Sequence, residues 1–263
     1  MLDRINTFRW QSITETLLNA LKRFPVAATA TIGLCISLLL LVNLPYEQVK
    51  GSILYEPSYW YVWVGALPLA ASIVLCFENR LNPTIRHSVS LLAVLLWSLY
   101  GYISNDTPEH FFGALAFIAP IVTFFSSLFW VAFLKKDTDT SFWNFSYLLC
   151  IQILTGLLFA SVLAAGLSLA LFSTDTLFGC EFKSEMYSNI HVLCYTLFFP
   201  FYLLGNIPIA SITETKARSF AQAWKILGLY ILLPLLILYG TILYAYLIKI
   251  IIQWQLPDVD RTS

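Results

Sequence analysis

Seven apolar stretches run through this chain, at residues 25–44, 60–77, 88–104, 111–133, 143–172, 189–209 and 224–254, and most basic residues fall in every second gap between them. An α-helix rises about 1.5 Å per residue, so about 20 residues cross a hydrocarbon core of ~30 Å. Lys and Arg are held back on the cytoplasmic side when such helices insert. Arg4, Arg9, Lys22 and Arg23 precede the first stretch, and Arg80 and Arg86 occupy the second gap. Lys135 and Lys136 fall in the fourth gap, and Lys216, Arg218 and Lys225 in the sixth or at its edge. The remaining gaps hold only Lys50 and Lys183 as basic residues. The pattern predicts an all-α, polytopic bundle of seven transmembrane helices, with its amino terminus cytoplasmic and its carboxyl terminus extracytoplasmic. Tyr59, Trp60, Tyr61 and Trp63 at the start of the second stretch, and Trp254 at the end of the seventh, suit headgroup level.

Composition agrees. Apolar residues make up 59% of the chain and charged ones 11%, and mean hydropathy is +0.75. A water-soluble domain of this size cannot hide so much apolar surface, whereas a bundle that turns it outward meets lipid. A formal net charge of zero argues against nucleic acid as a partner. The first apolar run lacks a cleavage motif behind it and is long enough to span, so it is expected to be a retained anchor. No lipidation motif stands at either end, which leaves spanning as the attachment to the bilayer. The fifth and seventh stretches exceed one crossing and are expected to tilt or to project beyond the lipid.

Three regions follow. Residues 1–24 read as an interfacial amphipathic helix, because Trp10, Ile13, Leu17, Leu21 and Phe24 recur at spacings of three and four. Gln11, Thr14, Glu15, Asn19, Lys22 and Arg23 take the opposite face. Residues 25–257 form the transmembrane domain, and 258–263 a short extracytoplasmic tail. The outer gaps are acidic, with Glu47, Glu56, Asp106, Glu109, Asp175, Glu181 and Glu185.

Groups able to carry chemistry are sparse. No Asp, Glu, Arg or His lies near the middle of an apolar stretch, and Gln152 and Asn206 are expected to be the most buried polar side chains. No catalytic motif is found, and no catalytic residue, metal site or cofactor is assigned. Asp137-Thr138-Asp139 reads as a mixed-charge turn beside Lys135 and Lys136, although the spacing suits a divalent metal. Asp106, Glu109 and His110, with His191, could supply oxygen and imidazole ligands. Cys35, Cys76 and Cys150 lie inside apolar runs; Cys180 and Cys194 are spaced so that a disulfide stays open as an alternative.

The fifth stretch carries Gly156, Ala160, Ala164 and Ser168 at intervals of four, with Ser161 and Ala165 alongside. Small residues on one stripe let a second backbone approach, so this helix is expected at the centre of the bundle or at a homo-oligomer seam. Tyr239, Tyr246 and Lys249 share one side of the seventh stretch, with Tyr244 nearby. They suit an anchored helix end or an anionic ligand at the outer leaflet.

The run Gly166-Leu-Ser-Leu-Ala-Leu, then Leu177-Phe178-Gly179, then Phe-Pro-Phe at 199–201 and Leu204-Gly205-Asn206-Ile207-Pro208, resembles a bacterial membrane family, domain of unknown function 4153. Leu233-Pro234-Leu235 with Tyr239, Leu243-Tyr244-Ala245-Tyr246, Lys249-Ile250 and Pro257 is similar to its most recognisable stretch, and Lys22-Arg23-Phe24-Pro25 to its entry into the first span. The resemblance implies a bacterial inner-membrane protein and names no activity. It departs after Pro257, where Asp258-Val259-Asp260 follows in place of further spans. The function expected is non-enzymatic: a scaffold, a sensor or a binder of a membrane-protein partner. A channel or carrier for a small solute is the alternative, and an enzyme built on the third-gap residues is a third.

Overall fold

The computed structural model describes residues 17–52, 54, 56–78, 80–103, 111–133, 139–208 and 231–253. Among them the fold is all-α. The long helices are α1 (Pro25–Asn43), α2 (Pro57–Phe77), α3 (Pro83–Ile103), α4 (Phe111–Trp130), α5 (Asp139–Phe178), α6 (Ser184–Asn206) and α7 (Leu233–Gln253). Each expected stretch overlaps one of these helices, the last of them through its described residues 231–253. Four are long and apolar enough to cross a membrane: α1, Tyr59–Phe77 in α2, Phe142–Phe178 in α5, and α6. Leu115–Trp130 and Leu233–Lys249 form shorter apolar helices.

Proline sets much of this punctuation. It occupies the first position of α1, α2 and α3, where its missing N–H breaks no helical bond. Pro25 also drives the preceding residue out of helical geometry, and Phe24 sits at φ −130° and ψ 56°. Residues 17–23 are helical, and bonds from Phe24 N to Ala20 O and from Ala28 N to Phe24 O carry the ladder across the kink. Within α6, Leu193–Phe198 widens into a π-helix just ahead of Pro200. The wider turn makes room for a ring that would otherwise meet the carbonyl one turn back. α5 ends at Gly179, whose φ of +65° suits a residue without a side chain.

Alanines bring the first helices together. Ala27, Ala28 and Ala30 of α1 and Ala66, Ala70 and Ala71 of α2 are all buried. The largest core joins Ala27, Ala28, Ala70 and Ala71 to Phe24, Leu128 of α4, Phe145 and Leu149 of α5, and Leu204 of α6. A second core places Trp97 of α3 against Phe117 of α4, and a third sets Phe159 of α5 against Ile231 and Leu235 ahead of and within α7. α2 packs against α1, α3 and α4, and its spanning window is 44% buried against 28% for α5. Among the described residues α2 is therefore the more enclosed helix, and α5, expected at the centre or at a homo-oligomer seam, is the more exposed.

α3 is inverted relative to a helix of a water-soluble protein. Arg86, Ser90, Trp97 and Gly101 are buried, and at about 100° per residue they share an arc of about 60°. Ser90 Oγ donates to Ala70 O at 3.3 Å and Trp97 Nε1 to Val62 O at 3.0 Å, so this arc faces α2. Leu92, Leu95, Leu96 and Ile103 lie on the other side and are 58–70% exposed. The polar and small residues point in, and the leucines point out.

Candidate functional site

Two constellations bear on function: a seam along α5, and a charged cluster where α1, α2, α3 and α6 end.

Gly156 brings α5 close to α6, and a Cβ placed there would lie 2.7 Å from Tyr202 Cδ1 and 3.2 Å from Phe199 Cδ2. Ala160 and Ala164 are buried, and the Ser168 hydroxyl is buried with no hydrogen-bond partner among the described residues. Polar contacts accompany the small residues. Ser161 and Tyr195 share a hydroxyl–hydroxyl bond of 3.0 Å, and Tyr202 donates its hydroxyl to Gln152 Oε1 at 3.2 Å. Gln152 and Asn206 are only half-buried; among the described residues the buried polar side chains are Thr31, Ser37, Ser72, Ser90, Ser127 and Arg86. Most of these are serine and threonine hydroxyls, which a search for amides and charges passes over.

The α7 residues meet the same helix. Tyr239 donates its hydroxyl to Gly166 O at 2.5 Å, and Tyr246 stands edge-on to Phe178. Lys249 Nζ donates to Leu177 O at 2.9 Å and lies 5.2 Å from the centre of the Phe178 ring. A cation on the last carbonyls of a helix complements the negative end of its dipole. Lys249 thus serves as a cap between α7 and α5. His191 sits apart from these residues, its ring nitrogen on Tyr187 O and its face against Tyr195.

At the other end Arg23 ties three elements together. Its Nε and Nη2 donate to the two carboxylate oxygens of Glu78 at 2.6 and 2.8 Å. Nη1 and Nη2 also reach the carbonyls of Ile207 and Pro208, at 2.5 and 3.0 Å, where α6 has just ended. Sequence periodicity puts Arg23 on a headgroup-facing side, but it turns inward because the kink at Phe24 and the end of α2 present it with a carboxylate. An Arg near the start of one span and a Glu at the end of the next was the available signal. Arg86, in the first turn of α3, is 8% exposed, and its Nε has no partner among the described residues. His87, just before the apolar stretch 88–104, has a buried Nδ1 with no partner among the described residues. Burial, and then the neighbouring Arg86 charge, hold its imidazole below the usual histidine range.

Cys180 and Cys194 are both free thiols, one exposed and the other buried in the π-helical turn, so the disulfide alternative is not realised. Asp106, Glu109, His110, Asp137 and Thr138 lie outside the described residues, as do residues 1–16 and 224–230. Among the described residues no group of three His, Cys, Asp or Glu side chains is placed to hold a metal. No curated protein and no solved structure matches the chain. One family model matches residues 34–262 of the 263, and the chain belongs to that family, Domain of unknown function (DUF4153).

Proposed function

We propose that this chain is a seven-span protein of a bacterial inner membrane that works as a scaffold, a sensor or a partner-binding unit without chemistry of its own. Its amino terminus lies in the cytoplasm and its carboxyl terminus outside. Residues 1–24 act as an interfacial arm, 25–257 as the bundle and 258–263 as a tail. The inverted α3 carries the membrane reading. Arg86 and His87 at its head keep α3 out of the four helices long and apolar enough to cross, yet leucines more than half exposed on its far side need lipid. The non-enzymatic reading is supported by how the polar groups of the helices are used. Ser37 with Tyr59, Ser90, Trp97, Ser161 with Tyr195, Tyr239 and Lys249 all bond one helix to another. Such bonds hold a bundle together.

Spin labels test the first part. A label at Leu95 should be relaxed by oxygen more than by a polar nickel reagent, and a label on the exposed Lys50 the reverse. Equal accessibility to the two reagents at Leu95 sinks the membrane reading. For the second part, a co-purifying membrane protein lost on deletion of residues 2–16 is the expected result.

A channel or carrier is the second reading, favoured by the polar seam. Gln152, Ser161 and Ser168 extend along about 24 Å of α5, most of a hydrocarbon thickness. Solute flux in proteoliposomes that stops in Gly156→Trp would establish it over the first.

A further inference from the structure

Arg86 is a fixed charge in an enclosed place. It is more than nine-tenths buried, on the arc of α3 that faces α2, and its Nε has no partner among the described residues. A guanidinium cannot relieve this by losing its proton, because it stays protonated in proteins. Glu78, the carboxylate of the turn between α2 and α3, has both oxygens engaged by Arg23. The next residue, His87, adds a second buried nitrogen without a partner among the described residues. The amino-terminal end of α3 brings a helix dipole of the same sign. An enclosed cation with donors to spare calls for an anion, and a planar fork of N–H groups matches two oxygens of a tetrahedral oxyanion.

We infer that Arg86 anchors a binding site for a phosphate-type oxyanion at the end of the bundle formed by the α2–α3 turn. The anion is either free phosphate or the phosphodiester of a lipid headgroup. This assignment goes beyond the scaffold reading and does not depend on which compartment the turn faces.

Two probes separate the sources. Purified protein in detergent is titrated with radiolabelled inorganic phosphate. The same protein, in nanodiscs with and without phosphatidylglycerol, is weighed by native mass spectrometry for retained anionic lipid. Wild type should hold one equivalent of one probe, with affinity at least tenfold weaker in Arg86→Gln. Arg86→Lys keeps the charge but loses the fork, and should be weakened at least threefold; it decides the matter where Arg86→Gln does not fold. Phosphate binding identifies a free anion, and lipid retention alone identifies a headgroup. Wild type holding neither probe, or variants binding as wild type does, overturns the assignment.

Discussion

Replacing Glu78 with Gln tests whether the Arg23 cluster fixes the start of α1 to the ends of α2 and α6. The substitution keeps side-chain size and one acceptor oxygen but removes the charge and the second acceptor. Fully exposed ion pairs contribute about 0.2–1 kcal/mol, whereas removing one partner of a buried pair costs about 3–5 kcal/mol. Arg23 and Glu78 are 16% and 15% exposed and joined by two bonds, so they lie nearer the buried limit. Allowing for that residual exposure, a loss of about 2–3 kcal/mol is expected for Glu78→Gln. Equilibrium unfolding in mixed micelles, followed by helix content, reads it directly. Arg23→Gln and the double variant complete a thermodynamic cycle. The double variant leaves no orphaned charge, so a coupling energy of at least about 1.5 kcal/mol is expected. Coupling below about 0.5 kcal/mol would refute the argument, because it would make the pair equivalent to a surface one. Exchanging the two residues should not restore stability, since a carboxylate at 23 would face the carbonyls of Ile207 and Pro208. The cluster also sets a rule for truncation: removing the arm past residue 22 removes the clamp, so loss of a partner would then report misfolding.

Gly156→Leu should destabilise by about 1–3 kcal/mol through overpacking against Tyr202 and Phe199, while Gly240→Ala, with no described residue within 4 Å of its Cβ, should be neutral or stabilise by up to about 1 kcal/mol; the same unfolding assay compares them. Tyr239→Phe deletes the bond to Gly166 O and should cost about 0.6–1 kcal/mol, in line with hydrogen bonds between membrane helices. The lowered His87 pKa has a definite sign: the unfolded chain takes up its proton first, so stability should fall as pH drops below the ordinary value of 6.5 until the folded imidazole titrates too. His87→Asn should flatten that part of the stability profile, and an unchanged profile would remove His87 as its source.

Much of the architecture is legible in the chain because hydrophobic length and proline act locally. The apolar stretches fall on helices, and Pro25, Pro57 and Pro83 mark three starts. The boundaries shift where a helix outlasts its apolar run. α3 begins at Pro83 rather than 88, because its first turn holds Thr84, Arg86 and His87, which hydropathy counts against a span. α5 runs from Asp139 to Phe178 and α6 opens at Ser184, each through a polar turn that completes the backbone bonding. The seam was partly legible, since a run of small residues states where a neighbour approaches. What the chain did not state is which neighbour. Gly156 meets α6 and Gly166 meets α7, a consequence of tertiary arrangement with no local signal. The alanine contact of α1 with α2 went unread for the same reason: alanines are common in apolar helices, and only their juxtaposition gives them meaning. Arg23 is expected on the headgroup side of an interfacial helix and Arg86 in a gap between spans, yet both are set by packing.

A rod of 40 residues, the length of α5, measures about 60 Å. Turning about its midpoint, it behaves as a lever: each degree of rotation sweeps either tip by about 0.5 Å. Tyr239 and Lys249 couple α7 to the upper arm, and the Tyr202 and Tyr195 contacts couple α6 to the middle. Any change in the angle of this rod is therefore handed on to two other helices and, at its widest sweep, to the acidic turn beyond Gly179.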